Sequence, residues 1–253
     1  MVAPRLRLAG GHCVAGENSA QKPMPMDHTD VLRFSTAVIL VGASPVTIKP
    51  ALANLPDDLP LIAADGGASA LLALGRVPDV VIGDMDSLIS RDALPSSVEV
   101  IHLTGQDDTD FEKCLARIDA PLIIGLGFLE ARLDHSLAAI HALMGLRHDR
   151  PVLLAGDTDV LLRLTGDIEM TMPIGSRISI WPLGRQSFEA SAGLRWPLAG
   201  LEMAPGEMIG TSNEVSATPV KIAATNDGDG YAVIAPVEAM TVLMAAVTDD
   251  GLT

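Results

Sequence analysis

The sequence is short of three things, and each shortage excludes a class of protein. It has only two cysteines, Cys13 and Cys114, in 253 residues. They make no disulfide framework and stand at no metal-ligand spacing, which predicts a reducing compartment, the cytoplasm. It is short of positive charge, with 17 Lys and Arg against 32 Asp and Glu and a formal net charge of −15. A general nucleic-acid binder needs a basic face to meet phosphate, so that class is excluded. A nucleotide ligand is not, because a divalent cation can bridge carboxylate to phosphate. It also has no apolar run long enough to span a bilayer, no internal repeat and no low-complexity tract. With 48% hydrophobic and 19% charged residues, the chain is not disordered and can build one large core or two smaller ones. The opening "MVAPRLRLAGGHCVAG" carries Arg5 and Arg7 and then a short apolar stretch broken by Gly10, Gly11 and His12. It reads as a loose arm over residues 1–33, not as a signal peptide or lipid-attachment site, with Met24 or Met26 as alternative starts.

From Thr36 onward a rhythm sets in. Short apolar runs occur at 36–42 (TAVILVG), 59–67 (LPLIAADGG), 79–84 (DVVIGD), 98–103 (VEVIHL), 121–127 (PLIIGLG) and 151–157 (PVLLAGD). Runs rich in Val, Ile and Leu that close on Gly or Asp are the pattern of strands buried on both faces. Helical stretches lie between them, at 67–76, 108–118 and 134–146. In the second, Phe111, Leu115 and Ile118 share a face and acidic residues fill the first turn. In the third, Leu137, Ile140, His141 and Met144 recur at helical spacing, the pattern of a core-facing stripe. The alternation predicts an α/β domain over 34–164, a mostly parallel sheet with helices on both faces. After Thr165 the texture alternates in twos and is punctuated by Pro and Gly, which predicts a smaller all-β, sandwich- or barrel-like domain over 165–253. The tail from Val237 to Thr248 fits a last strand or a short helix.

The predicted strand ends are acidic. Asp65 closes the second run, Asp84 and Asp86 the third; Asp107, Asp108 and Asp110 follow the fourth, and Arg132, Asp134 and His135 follow the fifth. Ligands of open α/β sheets sit beyond the carboxyl ends of the strands, so these side chains converge on one edge. Asp84 and Asp86, two apart in extended chain, point one way; Asp107 and Asp110, three apart at a helix start, share a face. Such hard oxygen donors suit Mg²⁺, which is held by a few carboxylates plus substrate phosphates, and Arg132 offers a planar fork to phosphate. Carboxylates this close repel unless a positive charge sits between them, so the cluster is expected to be self-repelling without metal.

Plainer readings stand beside this one. A lone aspartate is more often a cap or turn residue, and Asp108 is read as one of these or as a solvated neighbour. His135 is by itself more often a helix-start or core histidine than a catalyst. Gly66 and Gly67 serve equally to open a helix. "GLGFLE" (125–130) begins like a dinucleotide fingerprint but has Glu130 in place of the third glycine, and is discounted.

In this order, "DGGA" (65–68), "PDVVIGDMDS" (78–87), "DDTD" (107–110), "RLDH" (132–135), "GLRWPL" (193–198) and "TSNE" (211–214) resemble the motifs of the thiamin pyrophosphokinase family, over roughly 38–236. The sequence departs from that family at Met85, where an aromatic residue is usual, and in "FLEA" before Arg132, where glycines are usual. The resemblance implies an α/β nucleotide domain paired with a β domain, working as a homodimer with its site near the interface. It implies transfer of pyrophosphate from ATP to the hydroxyl of thiamin, with Mg²⁺ as cofactor, giving thiamin diphosphate and AMP. By similarity Asp84, Asp86, Asp107 and Asp110 hold the metal, and one aspartate near the hydroxyl helps take its proton. Asp65, Gln106, Thr109, Arg132, Asp134 and His135 position ATP, while Thr211, Ser212, Asn213 and Trp196 line the thiamin pocket. A tryptophan buried in a β core is an equal reading of Trp196. Two other functions stay open: the same chemistry on another heterocyclic alcohol, and a non-catalytic nucleotide or thiamin sensor.

Overall fold

The structure, a computed structural model, describes residues 31–44, 48–85, 94–103, 108–129, 132–146 and 148–248. Most of the expected N-terminal arm, including Cys13, lies outside them. The first half runs β1 (Leu32–Arg33), β2 (Val38–Val41), α1 (Ile48–Leu52), β3 (Leu61–Ala64), α2 (Gly67–Ala73), β4 (Val80–Gly83), β5 (Glu99–His102), α3 (Asp110–Arg117), β6 (Ile118–Asp119), β7 (Ile123–Leu129), α4 (Leu133–Gly145) and β8 (Val152–Gly156). The second half is β9 (Asp159–Leu164), β10 (Ile168–Met170), β11 (Arg177–Pro182), β12 (Gln186–Ala192), β13 (Glu202–Met203), β14 (Gly210–Glu214), β15 (Val220–Ala224) and β16 (Tyr231–Pro236), closed by α5 (Met240–Ala245).

Strands β8-β7-β2-β3-β4-β5 lie side by side and pair in parallel. The inner ones are apolar at every position because both faces are covered. Val38 and Leu40 pack with Phe111 of α3 and Leu143 of α4. Ile39 and Val41 face the other way, toward Leu52 of α1 and Leu71 of α2. Edge strand β5 instead exposes Glu99 and His102, charge and polarity that discourage pairing with another chain.

The sheet does not stop at the end of the parallel part. β8 pairs antiparallel with β9, β9 with β16, β16 with β11, and β11 with β14, giving a ten-stranded mixed sheet. A four-stranded antiparallel sheet, β10-β15-β12-β13, has its core residues Ile168, Phe188 and Ile222 in one apolar cluster with Ile180 and Tyr231 of the large sheet. Phe188 meets Tyr231 edge-on at 5.3 Å. The fold is therefore the expected α/β sheet followed by an all-β sandwich. The tail resolves to the short helix α5.

One local expectation is corrected, and one helix lies where none was assigned. The stripe Leu137, Ile140, His141 and Met144 does not face the core as a whole: Leu137 is 56% and Met144 39% exposed, Ile140 packs partly buried against the core, and Ala139, Ala142 and Leu143 are the buried residues. The helix is apolar on most sides, so spacing alone does not choose the face, and the small alanines allow close approach to the sheet. One-turn helix α1 falls where the sequence, with Pro50 inside it, gave no helical signal; Pro is tolerated there because first-turn N–H groups have no intrahelical partner anyway.

Arg163 of β9 is 1% exposed. Its Nη1 donates to the carbonyls of His148 (2.8 Å) and Arg150 (3.0 Å), and its Nη2 to that of Leu146 (3.3 Å), the C-cap of α4. A cation at a helix C-terminus is favoured by the helix dipole. Next to it, neither ring nitrogen of His148 has a hydrogen-bond partner among the described residues. Burial, reinforced by the Arg163 charge, holds the imidazole below its ordinary pKa despite the nearby Asp149. The unfolded chain then binds the proton more readily, so this contribution to stability is intact above about pH 6.5 and is lost as pH falls from there through the folded-state value. Urea midpoints measured from pH 7.5 down to pH 5 (about one unit either side of that unfolded value) should fall more steeply for the parent than for His148→Phe. Parallel curves would show that His148 does not carry the effect.

Candidate active site

The carboxyl ends of β2, β3 and β7 open onto a cavity of about 400 Å³, lined by Gly42, Ser44, Asp65, Asp110, Phe128 and His135 among others. Here the chain leaves β2 toward one face of the sheet and β7 toward the other, so the loops part and leave a crevice. Phe111 and Phe128 form its aromatic wall, with ring centroids 4.4 Å apart.

Asp65 follows β3 and is 1% exposed. Its N–H donates to the carbonyl of Ile82 at 2.8 Å. Two glycines allow this crowding. A Cβ on Gly83 would lie 2.7 Å from the Asp65 Cβ, and one on Gly67 would lie 2.0 Å from the carbonyl oxygen of Val41. Gly66 and Gly67 do open a helix, α2, and the close approach of Gly67 to β2 adds a second reason for glycine there. "GLG" of 125–127 lies inside β7 rather than in a strand-to-helix turn, in keeping with the discounted fingerprint.

Asp84 follows β4, and Asp110 is the first residue of α3. Thr109 caps that helix in a reciprocal capping box with Glu112, while Asp108 is an exposed neighbour. The expected repulsion is answered by the chain itself. Lys113, 8% exposed, places Nζ 3.0 Å from Asp110 Oδ1 and 3.6 Å from Asp84 Oδ2. Burial alone would lower its pKa; the hydrogen bond to Asp110 and the charges of Asp110 and Asp84 outweigh burial and raise it. The expectation of an uncompensated acidic cluster is thus corrected for the two described carboxylates. The extended geometry expected for Asp84 and Asp86 is also corrected: β4 ends at Gly83, and Met85 has φ +66°.

Asp86, Gln106 and Asp107 lie outside the described residues. Arg132 and Asp134 are exposed at the start of α4 and pair with each other at 2.6 Å. The hydrogen bond from Arg132 holds the Asp134 carboxyl below its usual range. Among the described residues, no three His, Cys, Asp or Glu side chains converge as a metal-ligand group. Asp84 and Asp110 nevertheless fit a hard cation: both present carboxylate oxygens, and both already meet one ammonium. Cys114 is fully buried, and burial pushes its thiol up, out of reactive range.

The second motif group lies on and beside edge strand β14. Thr211 and Ser212 are exposed. Asn213 is 5% exposed; its Oδ1 accepts from the N–H groups of Trp196 (3.1 Å) and Glu214 (2.8 Å), and its Nδ2 donates to the Trp196 carbonyl at 2.7 Å. Its amide therefore pins the Trp196 loop to β14. Trp196 is 53% exposed, with the Arg195 guanidinium 5.0 Å over its ring, so the reading of a tryptophan buried in the β core is overturned. None of these four residues lines the cavity at β2, β3 and β7. Sequence reasoning missed Lys113, whose signal was its position three residues after Asp110, and Phe128, which follows the "GLG" run.

Among the described residues, the non-glycine residues in the left-handed backbone region are Asp65 (φ +39°), Met85 (+66°) and Ser212 (+58°). Each lies in a stretch singled out for chemistry, and such strain gathers at functional sites.

Residues 57–154 match the family model described as thiamin pyrophosphokinase, catalytic domain, and residues 167–227 the one described as thiamin pyrophosphokinase, vitamin B1 binding domain. Thiamine pyrophosphokinase 1 of Arabidopsis thaliana is 30% identical over 190 residues, covering 68% of this chain and 70% of that protein. Across curated relatives of that name, the chain matches 63% to 72% of their length. A shorter match, 39% identical over 64 residues, covers 25% of this chain and 27% of the 6-hydroxymethyl-7,8-dihydropterin pyrophosphokinase of Pyrococcus furiosus. The crystal structure of thiamin pyrophosphokinase from Geobacillus thermodenitrificans has the same fold, with a TM-score of 0.65 at 22% identity over 79% of this chain and 97% of that one. With both family models matched in sequence order on a shared fold, the chain belongs to the thiamin pyrophosphokinase family.

Proposed function

We propose that this chain transfers a pyrophosphoryl group from ATP to the hydroxyl of thiamin. The observation that carries the reading is the acidic pair Asp84 and Asp110, joined through Lys113, of which Asp110 lines the cavity, within a chain of this family. The hydroxyl oxygen attacks the β-phosphorus, the bond from that phosphorus to the bridging oxygen of the α-phosphate breaks, and AMP leaves. An aspartate of the cluster takes the hydroxyl proton. Asp84, Asp86, Asp107 and Asp110 would hold Mg²⁺, which when bound supplies charge neutralisation to the phosphates. Asp65, Gln106, Thr109, Arg132, Asp134 and His135 position ATP, with the Phe111–Phe128 wall available for base stacking. Thr211, Ser212 and Trp196 take thiamin, and Asn213 acts by holding the Trp196 loop.

The division of labour follows the two matched segments, with ATP on 34–164 and thiamin and dimerisation on 165–253. The assembly is a homodimer, with thiamin at or near the interface. Its support is the exposed apolar surface of the β half, where Ile174, Trp196, Met208 and Ile209 are 68%, 53%, 46% and 41% exposed. We place the enzyme in the cytoplasm; no helix among the described residues is long and apolar enough to cross a membrane.

The test is purified protein with ATP, Mg²⁺ and thiamin, assayed for AMP and thiamin diphosphate. Asp84→Asn and Asp110→Asn should each lower kcat by about 100-fold or more, the scale of losing one preorganised electrostatic contact, while remaining folded. The short pterin-enzyme match favours one competing acceptor, so a hydroxymethylpterin is run alongside; faster transfer to it would reassign the acceptor and keep the chemistry.

The β-half motif separates into two roles. Ser212→Ala should raise the KM for thiamin several-fold, with ATP use and the urea midpoint unchanged, because its side chain is exposed. Asn213→Ala should instead cost about 1–3 kcal/mol of stability, since it strips partners from main-chain groups. Equal loss of both substrates in Ser212→Ala would remove the thiamin role.

A further inference from the structure

We infer that Lys113 is the resident cation of the acidic pair: it neutralises Asp84 and Asp110 in the unliganded chain and is relieved of that work when a divalent cation arrives. The inference rests on the metal reading above and adds a positioning residue to it. A lysine that is only 8% exposed is unusual, because an ammonium is among the groups most costly to bury. This one is buried where two carboxylates from different elements meet. Asp110 lies one turn before it on α3, and Asp84 comes from the end of β4.

The two contacts are unequal. At 3.0 Å the Asp110 contact is a hydrogen bond, whereas at 3.6 Å the Asp84 contact is a charge contact beyond hydrogen-bond range. Lys113 is therefore tethered to its own helix and reaches across to the strand. A compact ammonium on a flexible stem can shift when a second cation competes for the same carboxylates, which a planar guanidinium fork would do less readily. Without any cation, the two carboxylates would face each other in a partly desolvated crevice, where like charges repel.

A plain structural staple between α3 and β4 would behave differently. It would stabilise the fold by the same amount whether or not metal is present. A resident cation matters most when metal is absent, and it weakens metal binding by occupying the same field.

The experiment compares the parent with Lys113→Met. Thermal midpoints are read in chelator and in Mg²⁺ alone, and Mn²⁺ affinity is read by the loss of free-ion EPR signal. In chelator the variant should melt below the parent. Mg²⁺ should recover most of that loss, so its rise on adding metal exceeds the parent's. Mn²⁺ should bind the variant roughly tenfold more tightly, as expected for deleting a positive charge a few ångströms from the metal. A loss of midpoint that is the same with and without Mg²⁺, or Mn²⁺ affinity that is unchanged or weaker, overturns the inference and leaves the metal reading intact. Absence of any metal response in the parent overturns both. Lys113→Gln, which keeps a donor to Asp110 without the charge, is measured in parallel; if neither variant folds even with Mg²⁺ present, Lys113 is a staple and the inference fails.

Discussion

The position of β2 governs everything built around it. Its neighbours are β3 on one side and β7 on the other, so the chain must leave β2 toward one face of the sheet and β7 toward the opposite one. Backbone cannot fill the gap that opens at their carboxyl ends, and the cavity lies there. Strands β2, β3 and β4 are four residues long and buried on both faces, so they have no room for polar groups until they end. Polar chemistry is thereby driven to one edge: Asp65 directly after β3, Asp84 directly after β4, and Asp110 at the start of the helix after β5.

The same constraint sets the electrostatic problem. A chain with a net charge of −15 gathers carboxylates at a crevice whose walls are apolar. Exposed carboxylates would be screened by water, but those at a sheet edge covered by α3 and α4 are only partly so. Lys113 resolves the conflict locally. Its raised pKa reports the balance directly, since burial pulls it down and two carboxylates more than compensate. The pair is therefore held together rather than pushed apart.

Much of this was legible in the sequence because it depends on short-range rules. Continuous Val, Ile and Leu runs identify strands buried on both faces, and their acidic ends mark the ligand edge. The acidic first turn of α3 was likewise readable, while the Thr109 capping box that starts the helix appears in the structure. What was not legible depends on partners distant in sequence. The buried face of α4 could not be read from a helix apolar on most sides, because the choice was made by how closely Ala139 and Ala142 let it approach the sheet. Lys113 drew no reading from the sequence, because β4 brings Asp84 beside it only in the fold. Asn213 looked like a ligand residue, yet its amide is spent on the Trp196 loop, 17 residues earlier in the chain. The continuity of the large sheet was hidden for the same reason: β16 is what joins β9 to β11, pairing Tyr231 with both Leu164 and Pro182.

Backbone strain marks the two motif groups more sharply than composition does. Asp65, Met85 and Ser212 sit in the left-handed region, at a cost on the order of 1–3 kcal/mol each. Glycine would adopt these angles without that cost, and glycines are close by at Gly66, Gly83 and Gly210. At Asp65 the side chain lines the cavity, so replacing it with glycine would remove an acidic group from the crevice. At Met85 the left-handed turn comes immediately after Asp84, ending the strand's alternation and turning the chain at the point where the acidic motif continues. At Ser212 the turn leaves the hydroxyl exposed while its N–H is held by Ser179 Oγ at 3.0 Å. In all three places the fold keeps a side chain where conformation alone would prefer none, and it does so in the two segments that match the catalytic and vitamin-binding models.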